Sequence, residues 1–202
     1  MRGANVGRRL VTRHMVPRLR DEPRPEAREV LDELAALGIR HLAMVTGDNE
    51  QTGQAVAAEL GLKDCRSALL PDHKEEIVRE FEDTHGATMM IGDGINDAPP
   101  LARASVGVAM GGLGSDIALN AADVVLMHDD LRRVPELIRL GRMTNRIVRA
   151  NLIFATGVIT ALTLASLSGV LKLPVAVVGH EGSTVLVILN GLRLLHGPSR
   201  AT

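Results

Sequence analysis

Apolar and polar positions in the first 130 residues alternate between helix-like and strand-like patterns. Residues 25–37 carry apolar side chains at helical spacing, and a compact apolar run of strand length follows at residues 41–45. Further helices are predicted at 50–60, 72–83, 97–103 and 115–121, and further strands at 87–91, 105–109 and 124–127. Strands that alternate with helices predict an α/β fold with a parallel, doubly wound sheet.

Capping residues support these boundaries. Pro25 suits a first helical position, and Gly38 and Gly61 suit the ends of two helices, because glycine tolerates a left-handed conformation. Asp72 and Glu75 have the spacing of a capping box, which predicts that the third helix starts there.

The pattern changes after residue 130. Residues 131–149 form a basic amphipathic helix, after which residues 151–171 contain no ionisable side chain and are long enough to span a bilayer. A second apolar stretch covers residues 174–192, after a short turn at Lys172. We predict a transmembrane helical hairpin with both termini cytoplasmic, because arginines flank the two spans at their outer ends. The alternative is a pair of helices buried in a soluble core.

Composition narrows the class of protein. The chain has 202 residues and a net charge of −1, so it shows no basic footprint for nucleic acid. With two Phe and no Trp or Tyr, the core must be aliphatic. The single cysteine, Cys65, excludes an internal disulfide and suits a reducing compartment. Residues 1–20 are basic and unassigned, with a possible short strand at 10–16 and no secretory signal.

The strongest candidate chemistry lies at residues 91–99, which read IGDGINDAP. A strand, a glycine-rich turn and a helix in this order present polar groups at the carboxyl edge of an open sheet. Gly92 and Gly94 allow close backbone approach, and Asp93 and Asp97 offer the hard oxygens that Mg²⁺ prefers. The alternative is an Asx-rich turn that only ends a strand.

Two further polar segments could contact an anion. Thr46 and Gly47 stand before a helix and offer a hydroxyl and an open N–H, unless Asp48 or Asn49 simply caps that helix. Lys74 lies in the first turn of another helix, where the dipole disfavours a cation, so its position suggests a functional role. The alternative is a solvated surface lysine.

The second span contains His180 and Glu181, between Gly179 and Gly182. A Glu at bilayer depth costs about 2.5–3.5 kcal/mol on insertion scales, so it is a candidate functional residue. Neighbours on a regular helix point about 100° apart. Distortion at the two glycines could bring both side chains to one Zn²⁺, Co²⁺ or Ni²⁺ ion. The spans contain no Cys, which argues against Cu(I); the alternative is a His–Glu pair neutralised by hydrogen bonds.

The string GDGINDAP resembles the hinge motif of P-type ATPases, ion pumps with a haloacid dehalogenase-like phosphorylation domain. The resemblance implies that Asp93 helps to hold Mg²⁺ beside an aspartyl-phosphate and that Asn96 and Asp97 organise the same pocket. Residues 46–48 resemble the family's Thr-Gly-Asp motif on that pocket, and Lys74 its phosphate-contacting lysine.

The membrane segment is similar to the cobalt, zinc and cadmium group of these pumps. The strings HEGST at 180–184 and NGLRLL at 190–195 carry this resemblance. It implies an incomplete haloacid dehalogenase-like (Rossmann-like) sheet and a transmembrane hairpin in the plasma membrane. The expected divisions are a basic segment at 1–20, a partial phosphorylation domain at 21–130, a linker helix at 131–149 and the hairpin at 150–196.

The chain departs from the family in lacking an Asp-Lys-Thr-Gly-Thr string, which carries the phosphorylated aspartate. We therefore expect part of an ATP-driven Zn, Co, Cd or Ni efflux pump that cannot phosphorylate itself and meets ATP only within a complete pump. The alternative is a non-enzymatic metal-binding or regulatory partner of a full-length pump. A separate phosphatase is disfavoured because no Asp-x-Asp motif occurs. In the fold that the resemblance implies, the phosphorylated aspartate follows the central strand of the sheet, so we expect that strand to be missing as well. Its absence predicts a sheet in two halves, each with an unpaired edge.

Overall fold

The computed structural model describes residues 23–92, 97–111, 120–169 and 172–197. The chain divides into two compact units, Met1–Pro135 and Glu136–Thr202. The possible strand at 10–16 and most of the predicted helix at 115–121 lie outside the described residues.

The first unit is built from alternating strands and helices. The elements are α1 (Ala27–Ala36), β1 (Ala43–Val45), α2 (Glu50–Leu60), β2 (Asp64–Arg66), α3 (Pro71–His85), β3 (Met89–Gly92), α4 (Ala98–Arg103), β4 (Val106–Met110) and β5 (Val124–Leu126). Strands β1 and β2 pair in parallel, and β3, β4 and β5 form a second parallel sheet in that order. The predicted parallel α/β fold is confirmed. Strand β2 was missed because its residues, Asp-Cys-Arg, show no apolar pattern.

The two sheets share one aliphatic core. Within the described residues, β1 pairs only with β2 and β3 pairs only with β4, so each leaves one edge unpaired, as the missing strand predicts. The buried core cluster nevertheless draws on β1, α3, β3, α4 and β4, through Val45, Ile77, Val78, Met90, Leu101 and Ala109. Burial of these side chains holds the two sheets in one unit at about 25 cal/mol for each Å² of apolar surface removed from water.

Helix boundaries follow the local capping residues, with two exceptions at predicted helix starts. Helix α1 begins at Ala27 with Glu26 as its N-cap, so Pro25 is not its first helical residue. Gly38 and Gly61 follow α1 and α2 with φ of +83° and +72°, in the left-handed region where glycine carries no penalty. The predicted capping box at Asp72 is wrong. Leu70 is the N-cap of α3 and no side chain caps it, because Pro71 takes the first helical position, where its missing N–H costs nothing.

A close backbone approach joins β4 to α4. A Cβ atom on Gly107 would lie closer than 3.0 Å to the carbonyl oxygen of Leu101, and real Cβ atoms do not approach that near. Because the opposing atom belongs to the backbone, no side-chain rotation relieves the clash. The close packing of β4 against α4 therefore requires glycine at position 107.

The environment of Cys65 predicts a thiol that reacts slowly with alkylating reagents. Burial raises the pKa of Cys65, and the charge of Asp64 raises it further. The thiolate is the reactive form, so alkylation by iodoacetamide at pH 8 should be several-fold slower in the folded chain than in urea. Asp64→Asn should speed the folded-state reaction, and mass spectrometry of the Cys65 peptide measures both rates. An equal rate in folded and unfolded chains would contradict the prediction.

Two long helices, α5 (Arg133–Leu167) and α6 (Leu173–Leu192), and a 3₁₀ turn (Arg193–His196) follow β5, and all but the first three residues of α5 belong to the second unit. The predicted linker helix and first span are one continuous helix, because the change from charged to apolar residues near Asn151 leaves the backbone unbroken. Two helical segments, Arg133–Leu167 and Pro174–Leu195, are long and apolar enough to cross a membrane. No residue in the most apolar window of either is buried, so these helices are not the core of a soluble unit.

Candidate functional site

A compact turn follows β1 and orients the first predicted site residues. The buried Thr46 donates its backbone N–H to Arg66 O at 2.8 Å, which fixes it to the end of β2. Its Oγ1 donates to Asp48 Oδ2 at 2.8 Å and accepts the Asp48 N–H at 3.1 Å. Asn49 caps α2 by accepting the Thr52 N–H at 2.8 Å. The cap is thus supplied by Asn49, and the Asp48 carboxylate is held by Thr46 instead.

The same turn is tied to the start of α3. Thr46 O accepts the N–H of Leu69 at 3.2 Å, and Asp48 O accepts the N–H of Ala68 at 2.6 Å. Ala68 adopts a φ of +55°, a left-handed conformation that costs a non-glycine residue about 1–2 kcal/mol. The two hydrogen bonds offset the conformational cost at Ala68. They also place the first turn of α3 next to the Thr46 turn.

Lys74, in the first turn of α3, forms a buried ion pair with Asp97, directly before α4. Its Nζ lies 2.6 Å from Asp97 Oδ1, and the two side chains are 3% and 0% exposed. The interpretation of Lys74 as a solvated surface lysine is therefore wrong. Removing two charges from water costs several kcal/mol for each ion, which only close pairing offsets. The fold places a cation and a carboxylate together at the end of β3, where the Asp97 side chain lies against Gly92.

The second oxygen of Asp97 is buried and has no hydrogen-bond partner among the described residues. A buried acceptor left unsatisfied costs about 1–3 kcal/mol. A Cβ atom on Gly92 would lie 2.8 Å from this oxygen, so glycine at the end of β3 leaves room for the carboxylate. A buried carboxylate oxygen with no partner among the described residues is a ligand of the kind that Mg²⁺ prefers. Asp93 and Asn96 lie outside the described residues.

His180 and Glu181 are exposed on α6, which stays helical through Gly179 and Gly182. The distortion that would direct both side chains to one ion is not present, so the two diverge by about 100°. His180 O accepts the hydroxyls of Ser183 at 2.7 Å and Thr184 at 3.2 Å. In the described part of the chain, no three His, Cys, Asp or Glu side chains are grouped to hold a metal.

Arg24 is a structural residue that no local pattern in the sequence indicates. This arginine is 8% exposed and donates to Asp129 O at 2.7 Å and to the Asp129 carboxylate. The contact joins the segment before α1 to the turn after β5. In the sequence, Arg24 stands between two prolines in a charged stretch, and its partner lies 105 residues away. Because Arg24 is buried and bonds a residue distant in sequence, its role is to hold the segment before α1 against the turn after β5.

The comparisons with known proteins agree with this geometry. The family model of haloacid dehalogenase-like hydrolases matches residues 6–105. That range contains the Thr46 turn, Lys74 and Asp97, which lie at or beside the strand ends of the parallel sheets. The first unit is therefore a haloacid dehalogenase-like hydrolase domain.

The relatives extend the match into the membrane helices. The chain is 50% identical over 177 residues to the zinc-transporting ATPase of Bacillus subtilis (strain 168), covering 88% of this chain and 28% of that protein. It is 46% identical over 177 residues to a probable cobalt/nickel-exporting P-type ATPase of Mycobacterium tuberculosis (strain ATCC 25618 / H37Rv), covering 88% and 27%. The crystal structure of a zinc-transporting PIB-type ATPase in the E2.Pi state matches with a TM-score of 0.80 and 40% identity, covering 87% of this chain and 28% of that one.

Over most of its length the chain shows strong homology to the heavy-metal-transporting P-type ATPases. It spans about 28% of the length of the relative with which it shares 50% identity.

Proposed function

We propose that this chain forms part of an ATP-driven heavy-metal efflux pump in the plasma membrane, with both termini cytoplasmic. The buried Lys74–Asp97 pair carries this proposal. A soluble domain gains little from burying two charges, whereas a phosphate site needs a cation held at a fixed point. The two membrane-length helices and the homology to metal pumps support the same conclusion.

The soluble site would hold a phosphoryl group and its metal. Thr46 would supply a hydroxyl and Gly47 an exposed N–H, with Asp48 fixing the hydroxyl. Lys74 would neutralise phosphoryl oxygens, and Asp97 keeps its ammonium in place at 2.6 Å. Asp93 and Asp97 would hold Mg²⁺, which when bound stabilises charge on the transferring group, while Asn96 would orient the turn.

The transported ion would bind in the membrane at His180 and Glu181. Imidazole and carboxylate ligands suit Zn²⁺, Co²⁺ and Ni²⁺, and Cd²⁺ is a further candidate substrate by resemblance. Both side chains are exposed on α6, so they are open to further ligands from outside this helix. A Glu in a span is otherwise costly, by about 2.5–3.5 kcal/mol on insertion scales.

Metal binding by the purified chain in lipid nanodiscs tests the membrane site. The double variant His180→Ala/Glu181→Ala should weaken Zn²⁺ binding at least about tenfold in calorimetry, because the ion loses both side-chain ligands. His41→Ala/His85→Ala is the matched control, since it removes two stacked imidazoles of the soluble unit. Equal affinity in the parent and the His180→Ala/Glu181→Ala variant would contradict the proposed site.

A chimera separates the pump from the second candidate, a non-enzymatic metal-binding or regulatory partner. The two membrane-length helices and the exposed His180 and Glu181 also fit that candidate. This chain would replace the aligned segment of the Bacillus subtilis zinc-transporting ATPase. If the pump assignment holds, the chimera forms an acid-stable phosphoenzyme with Mg-ATP and confers zinc resistance, and Lys74→Met abolishes both. A partner protein would give an inactive chimera but alter transport when co-expressed with the intact pump.

A further inference from the structure

Helices α5 and α6 contact each other at two levels, and their half-buried residues follow a regular spacing. Half-buried positions recur at alternating spacings of three and four residues on α5, and at the same two spacings on α6. Such spacing is the signature of a helix pair that packs side by side along one stripe. Within residues 151–165 of α5 and 176–190 of α6, the half-buried residues, which we call the seam, are Asn151, Ala155, Val158, Leu162 and Ala165, and Ala176, Gly179, Ser183, Val187 and Asn190.

Two contacts fix how these stripes align. Asn151 bonds Asn190 at 2.7 Å, and a Cβ on Gly179 would lie 3.3 Å from a methyl group of Leu162. The residue numbers in each pair add up to 341, as expected for two antiparallel helices with the same rise. The same total of 341 is found for two further pairs of half-buried residues, Val158 with Ser183 and Ala165 with Ala176. For Ala155 with Val187 the total is 342. The two observed contacts therefore belong to a single register.

A chain of hydrogen bonds that run in one direction lies at the end of the seam farther from the turn at Lys172. Asn151 Nδ2 donates to Val187 O at 3.3 Å, Asn190 Nδ2 donates to Asn151 Oδ1 at 2.7 Å, and an Arg193 guanidinium N–H donates to Asn190 Oδ1 at 3.3 Å. A backbone carbonyl only accepts and a guanidinium only donates, so both ends fix the orientation of the two amides. Each amide has one arrangement that satisfies its neighbours.

We propose that the Asn151–Asn190–Arg193 chain is a register lock for the hairpin. The remaining seam residues are small or aliphatic, and apolar side chains alone tolerate displacement by one helical turn, since any such displacement again brings apolar against apolar. The amide pair bonds fully in one alignment only. A single polar pair that specifies register is a known device in helix pairs.

The consequence for the metal site rests on the proposed function. In the observed register, His180 lies level with Ala161 and Glu181 level with Thr160 of α5. Slipping by one turn would move both candidate ligands by about 5 Å along α5. The lock would thus set the membrane depth at which the transported ion is bound, and Asn151 and Asn190 are positioning residues for that site.

Disulfide trapping in the full chain, reconstituted in lipid nanodiscs with Cys65→Ser, tests the lock. Val158→Cys with Ser183→Cys reports the observed register, and Leu162→Cys with Ser183→Cys reports a one-turn slip. Adding Asn151→Leu should raise the ratio of slipped to native cross-linking about three- to tenfold, the range expected for one interhelical polar contact in lipid. Asn190→Leu should give the same result.

Asn145→Leu is the matched control, because Asn145 is exposed on the same helix outside the seam and should leave the ratio unchanged. Replacing Asn by Leu makes each span more apolar, so failed insertion would not explain a shift. An unchanged or lower ratio in both Asn151→Leu and Asn190→Leu would overturn the lock. Because cross-linking needs no metal, this result is separate from any failure of the proposed pump function.

Discussion

Replacing Lys74 with methionine should lower the free energy of unfolding of the first unit by about 3–5 kcal/mol. The substitution leaves Asp97 as an uncompensated carboxylate at 0% exposure, with one oxygen already unpaired among the described residues. Methionine matches the length of lysine, so the loss would reflect charge rather than a cavity. Hydrogen exchange at the amides of β3 and α4 in the full chain in nanodiscs measures the change.

Two variants make this test specific. Lys63→Met removes an exposed lysine near α2 and should change the free energy of unfolding by less than about 0.5 kcal/mol. Adding Asp97→Leu to Lys74→Met should recover much of the loss, because an apolar pair of similar volume carries no desolvation cost. If Lys74→Met costs no more than Lys63→Met, the pair is not buried as described.

The substitution Gly107→Ala should cost about 3 kcal/mol, at the upper end of the usual range for overpacking. The added methyl group would meet the carbonyl oxygen of Leu101, and either β4 or α4 would have to move. Protection of the β4 amides in hydrogen exchange should fall accordingly.

The matched control is Gly141→Ala, in α5. A Cβ there meets nothing within 4 Å, and alanine is the better helix former by about 0.5–1 kcal/mol. This variant should be neutral or slightly stabilising, and an equal loss of stability in both would show that the clash at Gly107 does not decide the result.

Local signals predicted the parts of the fold that depend on neighbouring residues. Helix α2 was predicted from Glu50 to Leu60 and is observed with those bounds, since Asn49 caps its start and Gly61 ends it. The parallel α/β pattern followed from strands alternating with helices. The capping box at Asp72 failed because two local signals compete there, and Pro71 determines the first turn.

The contacts that build the candidate site depend on residues distant in sequence. Lys74 and Asp97 are 23 residues apart, and Arg24 and Asp129 are 105 apart, so no periodicity could indicate their burial. For Lys74 the sequence offered one indirect signal, a cation at the wrong end of a helix dipole. The need for glycine at position 107 depends on a backbone oxygen of another element, which composition does not reveal.

The unbroken course of α5 has a mechanical consequence. Its 35 residues measure about 52 Å, whereas the hydrocarbon layer of a bilayer is about 30 Å thick. Its one proline, Pro135, lies in the first turn, where the helix needs no donor, so no kink is expected farther along. A stiff rod of that length acts as a lever: tilting its first turn by about 10° would carry its far end about 9 Å sideways.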